Sequence, residues 1–406
     1  MNPSIADGSC PVGFCQFFVM KINQKDFAIM LVNTPPMGWN TWNTFGSEIS
    51  EKLICESADQ FVKLGLDKAG YRYLVIDDCW SEKERDSVTH KLLASREKFP
   101  NGMKVVADYV HSRGLKFGMY SCAGVRTCAD YPGSFDHEFL DAETFAEFGV
   151  DFLKYDFCFS PGTTSGPLLY RRMGNALRAC GRDILFSACN WGSDDVWSWI
   201  RSSGAHMYRS TGDIIDNFVS FTDIAKSQIA KFCYSGPQCF NDMDMLTVGM
   251  FGKGNVGSSG CDFNQYRTQF SLWCVMGAPL MLGCDLRKMT PEVLELVLNP
   301  ELIAMDQDAE CRPAFVVGGS VEGSGPLVLA RMLAGGDLAL GYFNMTDRKL
   351  RASFLFEKAG FPFAAGYDLQ FKDVFTGDSA VYRELRIETL DPYACKIFRV
   401  TPVKRA

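Results

Sequence analysis

The sequence predicts an α/β protein: a (β/α)8 barrel followed by a C-terminal antiparallel β-sandwich. Three observations predict it. Eight short apolar or aromatic runs, each ending in polar groups, recur over roughly 270 residues, about what an eight-stranded barrel needs. Amphipathic stretches such as SEKLICESADQFVKLGLDKAG and NGMKVVADYVHSRG separate them and close on Gly70 and Gly114, as helix C-termini do. Beyond Asp308 the segments shorten, alternate polar with apolar, and are punctuated by Gly- and Ser-rich turns such as GGSVEGSGP.

The eight runs are PPMGWNTW (35–42), YRYLVIDDCW (71–80), LKFGMYSCAG (115–124), VDFLKYDFC (150–158), DILFSACNWG (183–192), AHMYRSTGD (205–213), CFNDMDML (239–246) and APLMLGCDL (278–286). Apolar strands alternating with amphipathic helices imply a parallel sheet covered on both faces. After it, PAFVVGG, PLVLARML, DLALGYFN, RASFLFE, YDLQFKDVF and KIFRVTP read as sandwich strands. The expected division is an N-terminal extension at 1–34, a barrel at 35–310 and a sandwich at 311–406.

Composition narrows the classes. A chain that is 47% apolar and 22% charged buries a large core. Lys+Arg 41 against Asp+Glu 48 gives a net charge of -7 with no basic stripe, which excludes a phosphate-neutralising or anionic-membrane surface. The longest apolar stretch, Ser271 to Gly283, is shorter than the 18 or so residues of a membrane span. No signal peptide is read at the N-terminus. Sixteen cysteines without a CxxC pair, and four scattered histidines, supply no metal-ligand spacing, so no zinc site is expected from them. Many cysteines sit in strand-like segments as small hydrophobes, which suits a reducing compartment.

A barrel places reactive groups at the C-terminal ends of its strands. Here the runs end in Trp39, Asp77 and Asp78, Tyr120, Lys154 and Asp156, Asn190 and Trp191, Arg209 and Asp213, Asp242 and Asp244, and Asp285. An Asp at a strand-to-helix turn also caps the following helix, so no single one marks a site. Eight runs all ending in ionisable or aromatic groups do mark one. There is no nucleophile elbow, no P-loop and no GxGxxG after a strand, which leaves acyl transfer, P-loop phosphoryl transfer and dinucleotide binding without their parts. Carboxylates binding hydroxyls, aromatic faces stacking on sugar rings, and two carboxyls of separated pKa point to glycosidic bond cleavage. Asp-rich metal chemistry is the competing reading. In VDFLKYDFC the two-residue period puts Phe152, Lys154 and Asp156 on one face, so Lys154 is expected to pair with Asp156 and keep it ionised.

PPMGWNTW, YLVIDDCW, KFGMYS with AGVRTC, FLKYDFC, YRSTGDI, NDMDML and APLMLGCDLR, in this order over about 35–308, resemble glycoside hydrolase family 27, the clan-D α-galactosidase and α-N-acetylgalactosaminidase family. The resemblance implies a retaining exo-glycosidase that releases terminal α-D-galactosyl residues, with Asp156 as nucleophile and Asp213 as acid, then base. It also implies Trp39 against the sugar's apolar face, Asp77 and Asp78 at O4 and O6, Lys154 at O3 and O4, and Arg209 at O2 and O3. Tyr120, Trp191 and Asp244 would complete the pocket, and Cys128 would be joined to Cys158. The partner is then a small carbohydrate, without metal, cofactor, nucleic acid or membrane, and self-association stays open.

Two departures matter. Asn190 stands where the family usually has Glu addressing O2, and with Ser193 nearby an N-acetyl group could fit; α-N-acetylgalactosaminidase is therefore the alternative activity. β-L-Arabinopyranosidase and a non-catalytic galactose-binding protein follow at a distance. The family's further disulfides lack partners for Cys79 and Cys189. With no signal peptide read, the expectation is a cytoplasmic, bacterial enzyme.

Overall fold

In the computed structural model, which describes residues 31–322 and 325–405, each of the eight runs centres on a short strand. These are β1 (Met37–Asn40), β2 (Tyr73–Val75), β3 (Lys116–Cys122), β4 (Phe152–Asp156), β5 (Leu185–Cys189), β6 (Met207–Arg209), β7 (Phe240–Asp242) and β8 (Leu280–Leu282). They form one parallel sheet in the order β7-β6-β5-β4-β3-β2-β1-β8. The ring closes just beyond β7, where Leu246 bridges to Leu282 and its N–H donates to the Met281 carbonyl at 2.8 Å.

Inside the ring, side chains lie in layers, as the two-residue period demands. Val75, Phe152, Leu185, Met207, Phe240 and Met281 pack as an apolar floor. Two residues further along the same strands stand Lys154, Ser187, Arg209 and Asp242, and two further again Asp156 and Asp244. The interior therefore turns from apolar to charged toward the C-terminal end. The opposite face of each strand, including Leu74, Phe117, Leu153, Tyr155 and Phe186, packs against the surrounding helices.

Those helices start and stop where local chemistry directs. Glu51–Lys63 is capped by Ser50, whose hydroxyl accepts the Leu53 N–H at 3.3 Å. It ends well before Gly70, contrary to the sequence expectation, because Gly65 takes the left-handed turn first (φ 77). Met103–Ser112 does stop just before Gly114. Phe263–Met276 begins with a reciprocal Asp262–Gln265 capping box and is buried over most of its surface, since the barrel lies on one side and C-terminal strands on the other.

The C-terminal region comprises β9 (Phe315–Gly319), β10 (Leu327–Met332), β11 (Leu338–Phe343), β12 (Leu350–Leu355), β13 (Tyr367–Asp373), β14 (Ser379–Tyr382), β15 (Leu385–Leu390) and β16 (Cys395–Lys404). Six form an antiparallel sheet, β14-β13-β16-β11-β10-β9, and β12 pairs with β15 in a second. Two strands, β14 and β15, were not among the expected segments. The residues of β14 are mostly exposed, and β15 is inverted: Leu385 and Ile387 face solvent while Glu388 is buried. Glu388 accepts from Arg386 Nε and Lys396 Nζ, both at 2.6 Å, and the Arg386 guanidinium lies 4.0 Å over the Phe398 ring.

From Leu31 onward the chain is one compact unit. Arg331 of β10, 1% exposed, ties the two regions, donating to the carbonyls of Met305 (2.9 Å), Arg312 (2.8 Å) and Cys274 (3.3 Å). The expected N-terminal extension lies outside the described residues apart from 31–34, where the Val32 carbonyl accepts the Gln238 N–H at 2.9 Å.

Candidate active site

The C-terminal mouth of the barrel holds a cavity of about 350 Å³. Its wall includes Asp77, Asp78, Tyr120, Lys154, Asp156, Arg209, Asp213 and Asp244, which the chain brings from five different strand ends.

On one side, β2 ends in two consecutive carboxylates aimed by backbone donors. Asp77 Oδ1 accepts the Asp78 N–H at 3.0 Å, and Asp78 accepts from the N–H groups of Cys79 (2.7 Å) and Ala129 (3.1 Å). Lys154 Nζ pairs with Asp77 Oδ2 at 2.8 Å, and Asn40 Nδ2 donates to the same oxygen at 2.7 Å. The expected Lys154–Asp156 pair is thus corrected. Lys154 lies one layer below Asp156 on β4, opposite Tyr120 of β3, and reaches across to the end of β2 instead. Burial opposes its charge, but Asp77 and Asp156 outweigh this and raise its pKa.

Asp156 accepts hydrogen bonds from the Tyr120 hydroxyl at 3.0 Å and from the Phe157 N–H at 2.9 Å. Burial pushes its pKa up to about 6, against the lowering effects of Lys154 and of these two donors. The sequence expectation that Lys154 holds this carboxyl low is corrected too, because desolvation at the barrel mouth is the larger influence.

On the other side, Arg209 is the centre of a carboxylate cluster. Its Nη2 lies 2.9 Å from Asp213 Oδ1 and its Nη1 3.0 Å from Asp244 Oδ1. Asp244 holds a left-handed backbone (φ 78), fixed by the Ile214 and Met245 N–H groups at 2.8 and 2.7 Å. One Asp244 oxygen thus restrains the backbone beside Asp213. The Asp213 side chain stands at the rim, 73% exposed. Desolvation works to raise its pKa, but the Arg209 charge and hydrogen bond hold it below the usual carboxylate range. Beneath them Asp242 accepts the Asp244 N–H at 2.9 Å, and burial lifts its pKa to about 7.

Trp39, Asn190, Trp191 and Asp285, all expected at the site, do not line this cavity. Trp39 is fully buried, with Nε1 donating to the Cys284 carbonyl at 2.7 Å; the tryptophan of the wall is Trp42, three residues on. Asn190 is also buried, its amide donating to the Ser193 carbonyl at 2.9 Å, and Trp191 packs toward Phe157. Asp285 is engaged with Arg287 at 2.9 Å. Sequence reasoning missed Trp42, Asn43 and the loop residues Asn255, Val256, Gly257 and Ser258. The signal for the loop was its Gly–Asn density in FGKGNVGSSG, which marks close turns but no chemistry. Cys128, also in the wall, is joined to Cys158.

Residues 34–308 match a family model described as "Alpha galactosidase A". An α-galactosidase of Cyamopsis tetragonoloba is 41% identical over 374 residues, covering 92% of this chain and 87% of its own. Alpha-galactosidase 3 of Arabidopsis thaliana is 39% identical, covering 92% and 83%. Among solved structures, α-galactosidase I of Mortierella vinacea superposes with a TM-score of 0.85 at 30% identity, covering 94% of this chain and 100% of that one. These relatives correct one expectation. The chain is similar to α-galactosidases of plants and of a yeast, and the cytoplasmic, bacterial assignment does not stand.

Proposed function

The chain belongs to the alpha galactosidase A family, glycoside hydrolase family 27, and from that premise we propose that Asp156 and Asp213 carry out a retaining hydrolysis at the barrel mouth. The enzyme hydrolyses terminal α-D-galactosyl residues of oligosaccharides, and its partner is a small carbohydrate. The observation that carries the assignment of roles is that these two carboxyls, from the end of β4 and the loop after β6, line one cavity with six further polar strand-end groups.

In the first step an Asp156 oxygen bonds to the anomeric carbon while the bond from that carbon to the leaving oxygen breaks, and Asp213 gives that oxygen its proton. In the second, Asp213 takes a proton from water, the water oxygen bonds to the anomeric carbon, and Asp156 is released. Tyr120 and the Phe157 N–H aim the nucleophile. Asp77, Asp78 and Lys154 supply acceptors and a donor for sugar hydroxyls. A hydroxyl lacking its partner there strands a buried charge, which is the source of selectivity for one epimer.

The Arg209–Asp213 contact has a role in this cycle. An acid must be protonated when the aglycone leaves, and Arg209 keeps Asp213 ionised in the empty site. Sugar hydroxyls that engage Arg209 draw the guanidinium from Asp213 and let its pKa rise. Binding and acid activation are thereby coupled.

A second reading, α-N-acetylgalactosaminidase, has one specific support. No side chain from the end of β5 is part of the wall, so none from there stands where the family's Glu would meet O2. Measuring kcat/KM on nitrophenyl α-galactoside and nitrophenyl α-N-acetylgalactosaminide side by side decides between them. Preference for the galactoside is expected, preference for the acetylated sugar supports the second reading, and activity on neither overturns both.

A further inference from the structure

The disulfide at the cavity wall joins two cysteines whose sulfurs sit against the nucleophile. Cys128 Sγ lies 3.9 Å from Asp156 Oδ2, and the ligand atoms of Cys128, Cys158 and Asp156 all fall within 4.8 Å of one another. Among the described residues this is the one group of three such side chains close enough to hold a metal ion. Zinc bonds of about 2.3 Å to sulfur and about 2.0 Å to oxygen, at tetrahedral angles, set sulfur–oxygen separations of about 3.5 Å. A shift of a few tenths of an ångström brings Cys128 Sγ to that value, and the two sulfurs, once no longer bonded, must part to about 3.8 Å. Cys128 and Asp156 both face the cavity, so a fourth position would be open to water or ligand. Asp77 and Asp78 add negative charge to the same wall.

We propose that reduction of the Cys128–Cys158 bond creates a two-thiolate, one-carboxylate site for a thiophilic divalent cation, zinc or cadmium, on the catalytic carboxylate itself. The disulfide occupies both sulfurs, so the oxidised protein has no such site. A phosphine reductant supplies two electrons and becomes a phosphine oxide with oxygen from water, while each sulfur gains one electron and one proton. On metal binding the two thiols release those protons, and two metal–sulfur bonds form. Asp156 supplies the third ligand, with no change in oxidation state. The inhibition that follows rests on the nucleophile role given to Asp156; the binding does not.

The test uses the full chain, oxidised or reduced by a phosphine, with zinc chloride in the activity assay and cadmium chloride for thiolate-to-metal absorbance. The reduced enzyme should lose activity roughly tenfold or more at stoichiometric zinc, as expected for a three-ligand site. A chelator should restore it, and the oxidised enzyme should be unaffected. Twelve other described cysteines are free, so the control is the double variant Cys128→Ser with Cys158→Ser. That variant should lack the cadmium absorbance gained by reduced wild type. Equal absorbance in the double variant and reduced wild type overturns the site, as does no absorbance in either; this readout needs no activity from the variant. Cadmium binding at these cysteines with undiminished turnover supports the site and removes Asp156 from the nucleophile role.

Discussion

The barrel mouth and the C-terminal sheets both bury charge, and they balance it differently. Among the described residues, Asp77, Asp156, Asp213, Asp242 and Asp244 at the mouth share Lys154 and Arg209 as nearby cations. In the sheets, Glu388 is met by both Arg386 and Lys396, and the sheet residues Lys372 and Arg399 both meet Glu301 of the helix Pro300–Asp306. Burial at the mouth, with neighbouring carboxylate adding less, lifts Asp156 and Asp242 toward neutrality, whereas Glu301 is held below its ordinary range by its two partners. A buried charge that is fully matched contributes to structure. One left partly unmatched keeps a proton equilibrium near working pH, which catalysis needs.

Breaking the mouth at its nucleophile should have the largest effect. Asp156→Ala is expected to lower kcat by roughly 10⁴-fold or more with an unchanged circular dichroism spectrum. Near-normal turnover would remove the assignment. Next comes Arg209→Ala, which strands Asp213 and Asp244 together; kcat/KM should fall by about 10²- to 10³-fold. The pKa of Asp213 should rise, visible as a shifted limb in the pH–rate profile, and an unmoved profile would mean the pair does not act on the acid.

The corresponding break in the sheets is Glu388→Gln. Removing one member of a buried ion cluster costs about 3 kcal/mol, so Tm should drop while kcat/KM at assay temperature stays level. A large loss of kcat/KM without a change in Tm would end the contrast between the two regions.

The pH dependence sharpens it. Asp156 has a folded pKa of about 6, above the ordinary carboxylate value, so kcat/KM should rise as pH increases through about 6. For stability the sign is opposite. Below the unfolded pKa this carboxyl is protonated in both states and its favourable contribution is complete; the contribution is lost as pH rises from about 4 to about 6. Tyr120→Phe removes a hydrogen bond to the ionised form and should move the kinetic limb upward. The smallest effect concerns the two tryptophans: Trp42→Ala should raise KM at constant Tm, and Trp39→Ala should lower Tm.

That last pair illustrates what a sequence carries and what it hides. The face shared by Phe152, Lys154 and Asp156 was legible because a strand's alternation is local. All eight barrel strands were readable because each is a short local apolar run closed by polar groups. Trp39 and Trp42 fall in one short run, and which of them reaches the cavity depends on where β1 ends. Pairings such as Lys154 with Asp77 and Arg209 with Asp244 join residues far apart in the chain, so spacing within one strand pointed Lys154 to the wrong carboxylate. β15 was invisible because it buries Glu388 and exposes Ile387, reversing the pattern by which strands are found.

Arg331 bears on how the molecule can be taken apart. Its guanidinium occupies the space against Gly277, where an added Cβ would come within 2.6 Å of Nη1. Gly277 also has the left-handed φ of 74 that ends the Phe263–Met276 helix. The seam is a keyed joint: a cation from one half fills a notch that only glycine leaves in the other. Exchanging the C-terminal sheets for those of another protein therefore means transplanting the notch along with the key. A barrel cut loose at this seam would expose the open carbonyls of Met305 and Cys274, and would be a fragment rather than a smaller enzyme.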